Sequence, residues 1–507
     1  MLAKIKSVSL KGLEEIDVIV EVDISPGLPT FTIVGLPDEA VKEARERVRS
    51  AIKNTGFEFP MRRITVNLAP AEVRKEGSIY DLPIAIGILT ATEVIHSADK
   101  VAEFHFAGEL SLNGGVRKIS GALPMAIGLS NKGHANFITP LDNRREVEII
   151  DGVDCYPVKH LKEVVEFLND DREIIPEHID VRDELTKGVV NDELDFADIK
   201  GQFQAKRAME IAAAGGHNII MMGSPGCGKT MIARMLPTIL PPLTLEEAME
   251  VTQIYSIAGL LRDGIIMERT FRSPHHTASS AAIIGGGNVP RPGEISLSHH
   301  GVLFLDELPE FKRSVLEVLR QPMEDGFVTV SRVRMSITYP SRFMLVAAMN
   351  PCPCGWYGDT VHSCNCSVYD IKRYRNRISG PLWDRFDIQL EMPRLFPEEL
   401  TNKPKGESSA DIRKRVISAR KLQQERYEGK RIFSNAQLTP GLLKEFVPLD
   451  SEEKSFLRTA SEKLGLTGRG FDRIVRVSRT IADLEGEKKV ELPHIAEALQ
   501  YRIDLSI

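Results

Sequence analysis

The sequence predicts an α/β protein built from an N-terminal α/β domain, a second α/β module with a parallel sheet, and a helical C-terminal region. Three observations carry this. Residues 1 to about 168 alternate strand-like and helix-like runs, with glycines at the turns. The stretch HNIIMMGSPGCGKT (His217–Thr230) sets a glycine-rich turn between a buried apolar run and a helix. Beyond residue 395, helical patterns with capping signals dominate.

At 507 residues the chain exceeds what one hydrophobic core supports, so several domains are expected. Its 42% hydrophobic and 27% charged content is that of an ordinary globular protein. A net charge of −6 gives no global nucleic-acid signature, so any DNA contact has to come from local basic elements. No apolar run reaches the ~18 residues of a membrane helix, since Leu82–Ile95 is broken by Thr90, Thr92 and Glu93. The start, MLAKIKSVSLKG, lacks a signal peptide's apolar segment, and a cytoplasmic protein is expected. In that reducing setting six cysteines, four of them within Cys352–Cys366, point to a local metal cluster rather than a disulfide framework.

Within residues 1–168, Val18–Val22, Thr30–Val34 and Ile64–Leu68 read as strands, and Asp38–Thr55 and Asp81–Thr92 as helices. Gly27, Gly35 and Gly77 mark turns. From 169 to 198 the composition turns acidic with little periodicity, which reads as a solvated linker. An amphipathic helix then begins near Gln202.

The next stretch carries chemistry. Gly223, Ser224, Pro225, Gly226, Cys227, Gly228, Lys229 and Thr230 match the P-loop pattern GxxxxGK[ST] between a strand and a helix. The glycines let successive backbone N–H groups point inward as a nest for phosphate oxygens, and the helix start adds its positive end. Lys229 is placed to reach the β- and γ-phosphates of ATP, and the Thr230 hydroxyl to ligate Mg²⁺. About 75 residues downstream, GVLFLDEL (Gly301–Leu308) is a buried strand ending in two carboxylates. Asp306 can hold the Mg²⁺ shell and Glu307 can polarise an attacking water. A third apolar strand, FMLVAAMN, ends in the amide of Asn350.

This order of motifs resembles AAA+ ATPases of the helix-2-insert class, which includes magnesium chelatase subunits and MCM helicases. The resemblance implies that Asn350 is sensor 1, placing the water against the γ-phosphate, and that Ile199 and Gly201 line the adenine pocket. Arg385, in ISGPLWDRFDIQLE, would be an arginine finger projecting into a neighbouring subunit's site, which requires an oligomer. Arg469, the first of Arg469, Arg473, Arg476 and Arg479 along one helix, would be sensor 2, the others facing solvent or acidic neighbours. More narrowly, RSPHHTASSAAIIGGGNVPRPGEISLSHHGVLFLDELPEF, LRQPMEDGFVTVSR and AAMNPCPCGWYGD resemble the YifB/ComM family of magnesium chelatase-like competence proteins. That family implies a hexameric ATPase driving branch migration and unwinding of DNA, with a chelatase-type motor acting on a protein partner as the alternative.

KEGSIYDLPIAIGIL and AGELSLNGGVRKISGALPMAI look like the Lon-protease-type domain with the ribosomal S5 domain 2-like fold. A Lon-type peptidase needs a serine activated by a lysine. Here Ile79 stands where the serine belongs, with Ser78 beside it, while Lys118 could mimic the lysine. A base without its nucleophile does no acyl transfer, so an ATP-dependent protease is the weaker alternative. The resulting division is a Lon-like domain (1–168), an acidic linker (169–198), an AAA+ core (199–394) and a helical lid (395–507). In the lid, one helix starts at the SSAD capping box near Ser408 and runs to Glu428, and others follow Asp450, Thr467 and Pro493.

Three segments are candidates for DNA contact. GGGNVPRPGEI (Gly285–Ile295) is too rich in glycine and proline for a helix and reads as an inserted hairpin or loop facing a ring's pore. FVTVSRVRMSI (Phe327–Ile337) alternates, placing Arg332 and Arg334 on one face of a hairpin that either binds phosphates or is a solvated β-edge. IKRYRNRIS (Ile371–Ser379) interleaves Tyr374 with four basic residues, suiting phosphate contact with stacking, or a subunit interface. Cys352, Cys354, Cys364 and Cys366 form CxC-x9-CxC, which can enclose one tetrahedral Zn²⁺, with free thiols or regulated disulfides as the other readings. His362 is a substitute ligand.

Overall fold

The computed structural model describes residues 1–176, 178–179, 194–262, 264–287, 290–332, 335–394, 406–430 and 432–503. Half of the acidic linker (177 and 180–193), Arg334, the start of the lid and Asn288–Val289 of the glycine-rich segment lie outside the described residues. The chain divides into two compact units.

The first unit holds a seven-stranded mixed sheet in the order Thr30–Val34, Arg63–Ala69, Glu14–Ser25, Leu2–Lys11, Phe104–Phe106, Ala135–Pro140 and Val153–Val158. Leu2–Lys11 pairs antiparallel with Glu14–Ser25, and both alternate buried and open positions over much of their length, as half-covered strands do. The helix Glu39–Asn54 starts where Asp38 accepts from the Val41 N–H at 2.8 Å. Asp81–Ala91, by contrast, is buried on nearly every side and has no polar face. All three expected strands and both expected helices are present.

One boundary differs from the sequence division. The described part of Ala248–Ile266 belongs to this first unit and interrupts the 199–394 block. The reason is side-chain chemistry: Ser256 donates to Glu146 Oε2 at 2.6 Å, its carbonyl accepts from the Gly121 N–H at 3.1 Å, and the Leu261 carbonyl accepts from Lys118 at 2.9 Å.

The second unit is organised by a five-stranded, all-parallel sheet in the order Phe271–Arg272, Val302–Leu305, Met344–Met349, Ile219–Gly223 and Ile388–Met392. The strands Ile219–Gly223, Val302–Leu305 and Met344–Met349 are buried at every residue, which is why they read as unbroken apolar runs. Helices cover the sheet, among them Phe203–Gly215 and Lys229–Ile239.

The C-terminal region is helical, as expected: Ser409–Arg426, Pro440–Phe446, Ser451–Leu464, Gly468–Glu485 and Leu492–Gln500. Ser408 caps the first by accepting from the Asp411 N–H at 3.2 Å. The helices are tied together at Asp483, whose side chain is sealed from solvent. It accepts from Arg426 Nη1 at 3.0 Å, Arg479 Nε at 3.1 Å and Asn435 Nδ2 at 2.8 Å. Asp483→Ala leaves two guanidinium groups without their anion, at a cost of about 3–5 kcal/mol. The expected result is a clear fall in the midpoint of urea denaturation, whereas an unchanged midpoint would show that the network carries no stability.

Candidate functional site

Parallel topology brings the motif residues together. Val302–Leu305, Met344–Met349 and Ile219–Gly223 are consecutive in the sheet and run the same way. Their carboxyl ends therefore deliver Asp306 and Glu307, Asn350, and the P-loop side by side, at the edge where α/β sheets bind ligands.

Gly226 and Gly228 have φ of +81° and +94°, in the left-handed region that lets the loop turn its N–H groups inward. Neither is crowded, so conformation rather than space demands glycine there. Lys229 is 8% exposed, and its ammonium donates to the carbonyls of Gly223 at 2.6 Å and Ser224 at 3.0 Å and to Asn350 Oδ1 at 3.3 Å. The Thr230 hydroxyl donates to Asp306 Oδ2 at 2.7 Å. A hydroxyl and a carboxylate held this way are the donor set of a Mg²⁺ site in P-loop proteins, so these residues fit the ion. The second Asp306 oxygen accepts from the Glu307 N–H at 2.9 Å. Glu307 itself is left-handed, φ +52°, a strained conformation for a side chain with a Cβ, and its carboxylate stays half-exposed.

Several contributors were not read from the sequence. His276 Nδ1 lies 3.4 Å from Glu307 Oε2, although the paired histidines of RSPHHTASS were visible. Gln202, also left-handed at φ +50°, donates from Nε2 to the carbonyls of Cys227 (3.2 Å) and Pro393 (2.8 Å), fastening the P-loop to the end of a neighbouring strand. Ile199 is buried in the core at the start of this unit, and Gly201 is left-handed.

Arg385 and Arg469 occupy a different place. Arg385 precedes the strand Ile388–Met392, so it sits at the sheet's amino edge, and its carbonyl accepts from Asn218 Nδ2 at 3.2 Å. A five-residue strand at ~3.3 Å per residue spans about 16 Å, which separates this edge from the P-loop by more than one side chain's reach. Arg385 and Arg469 line one cleft with Arg269, Arg420, Arg473 and Arg476. The Arg385 guanidinium donates to Glu324 and to the Pro381 carbonyl. Burial pushes its pKa down, Glu324 opposes this, and the charges of Arg320 and Arg469 add to the depression. Arg473 and Arg476 stand near Asp387, and Arg479 is paired with Asp483, so these three face acidic neighbours.

Two expectations change. Tyr374 is 5% exposed, because the helix Val368–Arg375 buries Ile371 and Tyr374 together, and it is not available to stack on a base. Its outward residues are Tyr369, Lys372 and Arg373, which with Arg313 and Arg377 line a groove. His362 is outside the thiol cluster and packs against Trp356, the ring centroids 4.4 Å apart and the planes tilted by 55°. The glycine-rich segment forms a short ribbon, Gly285–Gly286 against Arg291–Pro292, and Phe327–Arg332 pairs with Met335–Pro340 as a hairpin. In the first unit Ile79 packs into the core, Ser78 donates to Glu109, and Lys118 is held by the Leu261 carbonyl and lies 3.6 Å from Glu146. The serine and the lysine thus have separate partners.

A parallel sheet that gathers a P-loop, a paired carboxylate and a polar strand end at one edge, followed by a helical region, defines an AAA+-like nucleotide-binding protein. The comparisons agree. Residues 195–400 match the family described as magnesium chelatase, subunit ChlI; residues 20–143 match subunit ChlI of Mg-chelatase; and 406–502 match its C-terminal family. The chain is 45% identical over 503 residues to competence protein ComM of Haemophilus influenzae, covering 99% of this chain and 97% of that one. It is also 45% identical over 494 residues to YifB of Escherichia coli, covering 97% and 95%. The magnesium-chelatase 67 kDa subunit of Chlorobaculum parvum is 31% identical over 162 residues, 31% of this chain and 23% of that one. The chain belongs to the ComM/YifB family of magnesium chelatase-like proteins. No helix among the described residues is long and apolar enough to cross a membrane.

Proposed function

We propose that this protein is a ring-forming ATPase that couples ATP hydrolysis to the remodelling of branched or single-stranded DNA. One observation supports the ring: the phosphate cradle and the Arg385–Arg469 cleft lie at opposite edges of one sheet, which favours both arginines serving the P-loop of a neighbouring chain. A closed ring of copies, with six as the expected number, brings the two edges together at each interface.

In such a site the P-loop N–H groups and Lys229 hold the triphosphate, and Thr230 and Asp306 hold Mg²⁺, which neutralises developing phosphoryl charge. Glu307 takes the proton of the attacking water, and Asn350 orients that water. Arg385, with Arg469 as sensor 2, reaches the γ-phosphate from the neighbouring subunit and completes the charge. The first unit keeps the Lon-like reading as a fold without peptidase chemistry, since the position expected to hold the nucleophile is Ile79, and Ser78 and Lys118 bond to different partners.

The DNA reading rests on the relative named for competence and on local basic surface. The groove of Arg313, Lys372, Arg373 and Arg377 beside the 70%-exposed Tyr369 suits phosphates and a stacked base. The ribbon of Gly285–Gly286 with Arg291–Pro292 and the Arg332 hairpin are the candidate pore elements. The test is a synthetic four-way junction with ATP: we expect branch movement and DNA-stimulated hydrolysis. Hydrolysis indifferent to every DNA would favour a chelatase-type motor acting on a protein, a reading supported by the match to the 67 kDa subunit.

A further inference from the structure

The fifteen-residue stretch Cys352–Cys366 starts two residues after Asn350. Its four thiols converge: Sγ separations are 3.3 Å for Cys352–Cys354, 3.7 Å for Cys352–Cys364 and 3.6 Å for Cys354–Cys364, and Cys366 completes a group within 4.8 Å. Disulfide sulfurs sit at ~2.05 Å, far closer than these. Four sulfurs at ~2.3 Å from one Zn²⁺ occupy tetrahedral corners about 3.8 Å apart, close to the 3.3–3.7 Å of these three pairs. Backbone N–H groups of Tyr357 (3.3 Å to Cys352 Sγ) and Cys366 (3.4 Å to Cys364 Sγ) donate to the sulfurs, the outer support that thiolate ligands require. A loop this short buries little apolar surface, and a metal held by its four thiolates would clip it together.

This loop leans on the phosphate cradle. Gly355 is left-handed at φ +86°, and a Cβ there would come 2.8 Å from the ring of Pro225 in the P-loop. Asp359, its side chain sealed from solvent, accepts from the N–H groups of His362 and Val361 at 2.9 Å each, and the P-loop hydroxyl of Ser224 stands against it. These donors hold its pKa down to about 2, so it stays a carboxylate beside the cradle.

We propose that Cys352, Cys354, Cys364 and Cys366 bind one Zn²⁺ that makes this loop a wall of the nucleotide pocket, pressing Gly355 on Pro225 and Asp359 toward Ser224. Metal occupancy then sets how tightly the cradle holds ATP. The inference rests on the reading of the P-loop as the ATP site and adds a structural metal to it.

The test uses the full-length purified protein, with zinc measured by atomic emission and nucleotide affinity by titration of a fluorescent ATP analogue. We expect one Zn²⁺ per chain, a Kd at least about tenfold higher after chelation, and recovery when Zn²⁺ is returned. Gly355→Ala should keep its zinc and still bind nucleotide more weakly, separating contact with Pro225 from loss of the loop. A metal-free chain that binds the analogue as tightly as the zinc-loaded one would overturn the proposal, as would a chain that takes up no Zn²⁺. If the zinc-loaded protein bound no nucleotide at all, the P-loop reading would fall first and the inference with it.

Discussion

Glu307→Gln is expected to lower steady-state ATP hydrolysis by about 10²- to 10⁴-fold while leaving nucleotide affinity unchanged. On the proposed reading, the binding groups and the reacting carboxylate are separate in this site. The ammonium of Lys229 and the Thr230–Asp306 pair sit on the P-loop side and are tied to the loop and to each other. Glu307 contributes only its backbone N–H to that arrangement, at 2.9 Å to Asp306, and its side chain is turned out by the left-handed backbone. An amide of the same shape preserves that N–H bond and the strand end but cannot take a proton from water. Phosphate release under saturating ATP and titration of the fluorescent analogue read the two quantities independently. Turnover at the wild-type rate would move the base to another residue, and a matching loss of affinity would make Glu307 a binding group.

Strand positions and motif residues were legible because the three central strands of the second unit's sheet are buried at every residue, so each writes itself as an apolar run with a motif residue at its end. The Ser408 cap was legible for a similarly local reason. What the sequence did not show depends on contacts between distant segments. Ala248–Ile266 carries an ordinary helical pattern, and contacts with distant residues, such as the buried Ser256–Glu146 bond 110 residues apart in sequence, reveal which unit it joins. Gln202 and Asp359 act on the P-loop from outside its motif, so no local pattern marks them. Tyr374 is different: helical spacing of Ile371 and Tyr374 already implied a buried stripe, and the basic composition of the segment drew attention away from it.

Arg385→Ala is expected to lower hydrolysis about 10³-fold or more, the magnitude of removing a cation that meets the transferring phosphoryl group. Its position makes a sharper test available. Glu324 now balances the Arg385 guanidinium, and burial together with Arg320 and Arg469 makes the cleft a poor place for an uncompensated cation. In the proposed ring, a phosphate oxygen arriving from a neighbouring copy would be a competing anion of higher charge and would draw the arginine away from Glu324. Lys229→Ala should be inactive for the complementary reason, having the finger without the cradle. When the two inactive proteins are mixed and allowed to exchange subunits, some interfaces pair an intact Lys229 with an intact Arg385, and hydrolysis should return well above the sum of the separate preparations. An arginine serving its own chain would leave the mixture inactive, because no single copy would contain both residues.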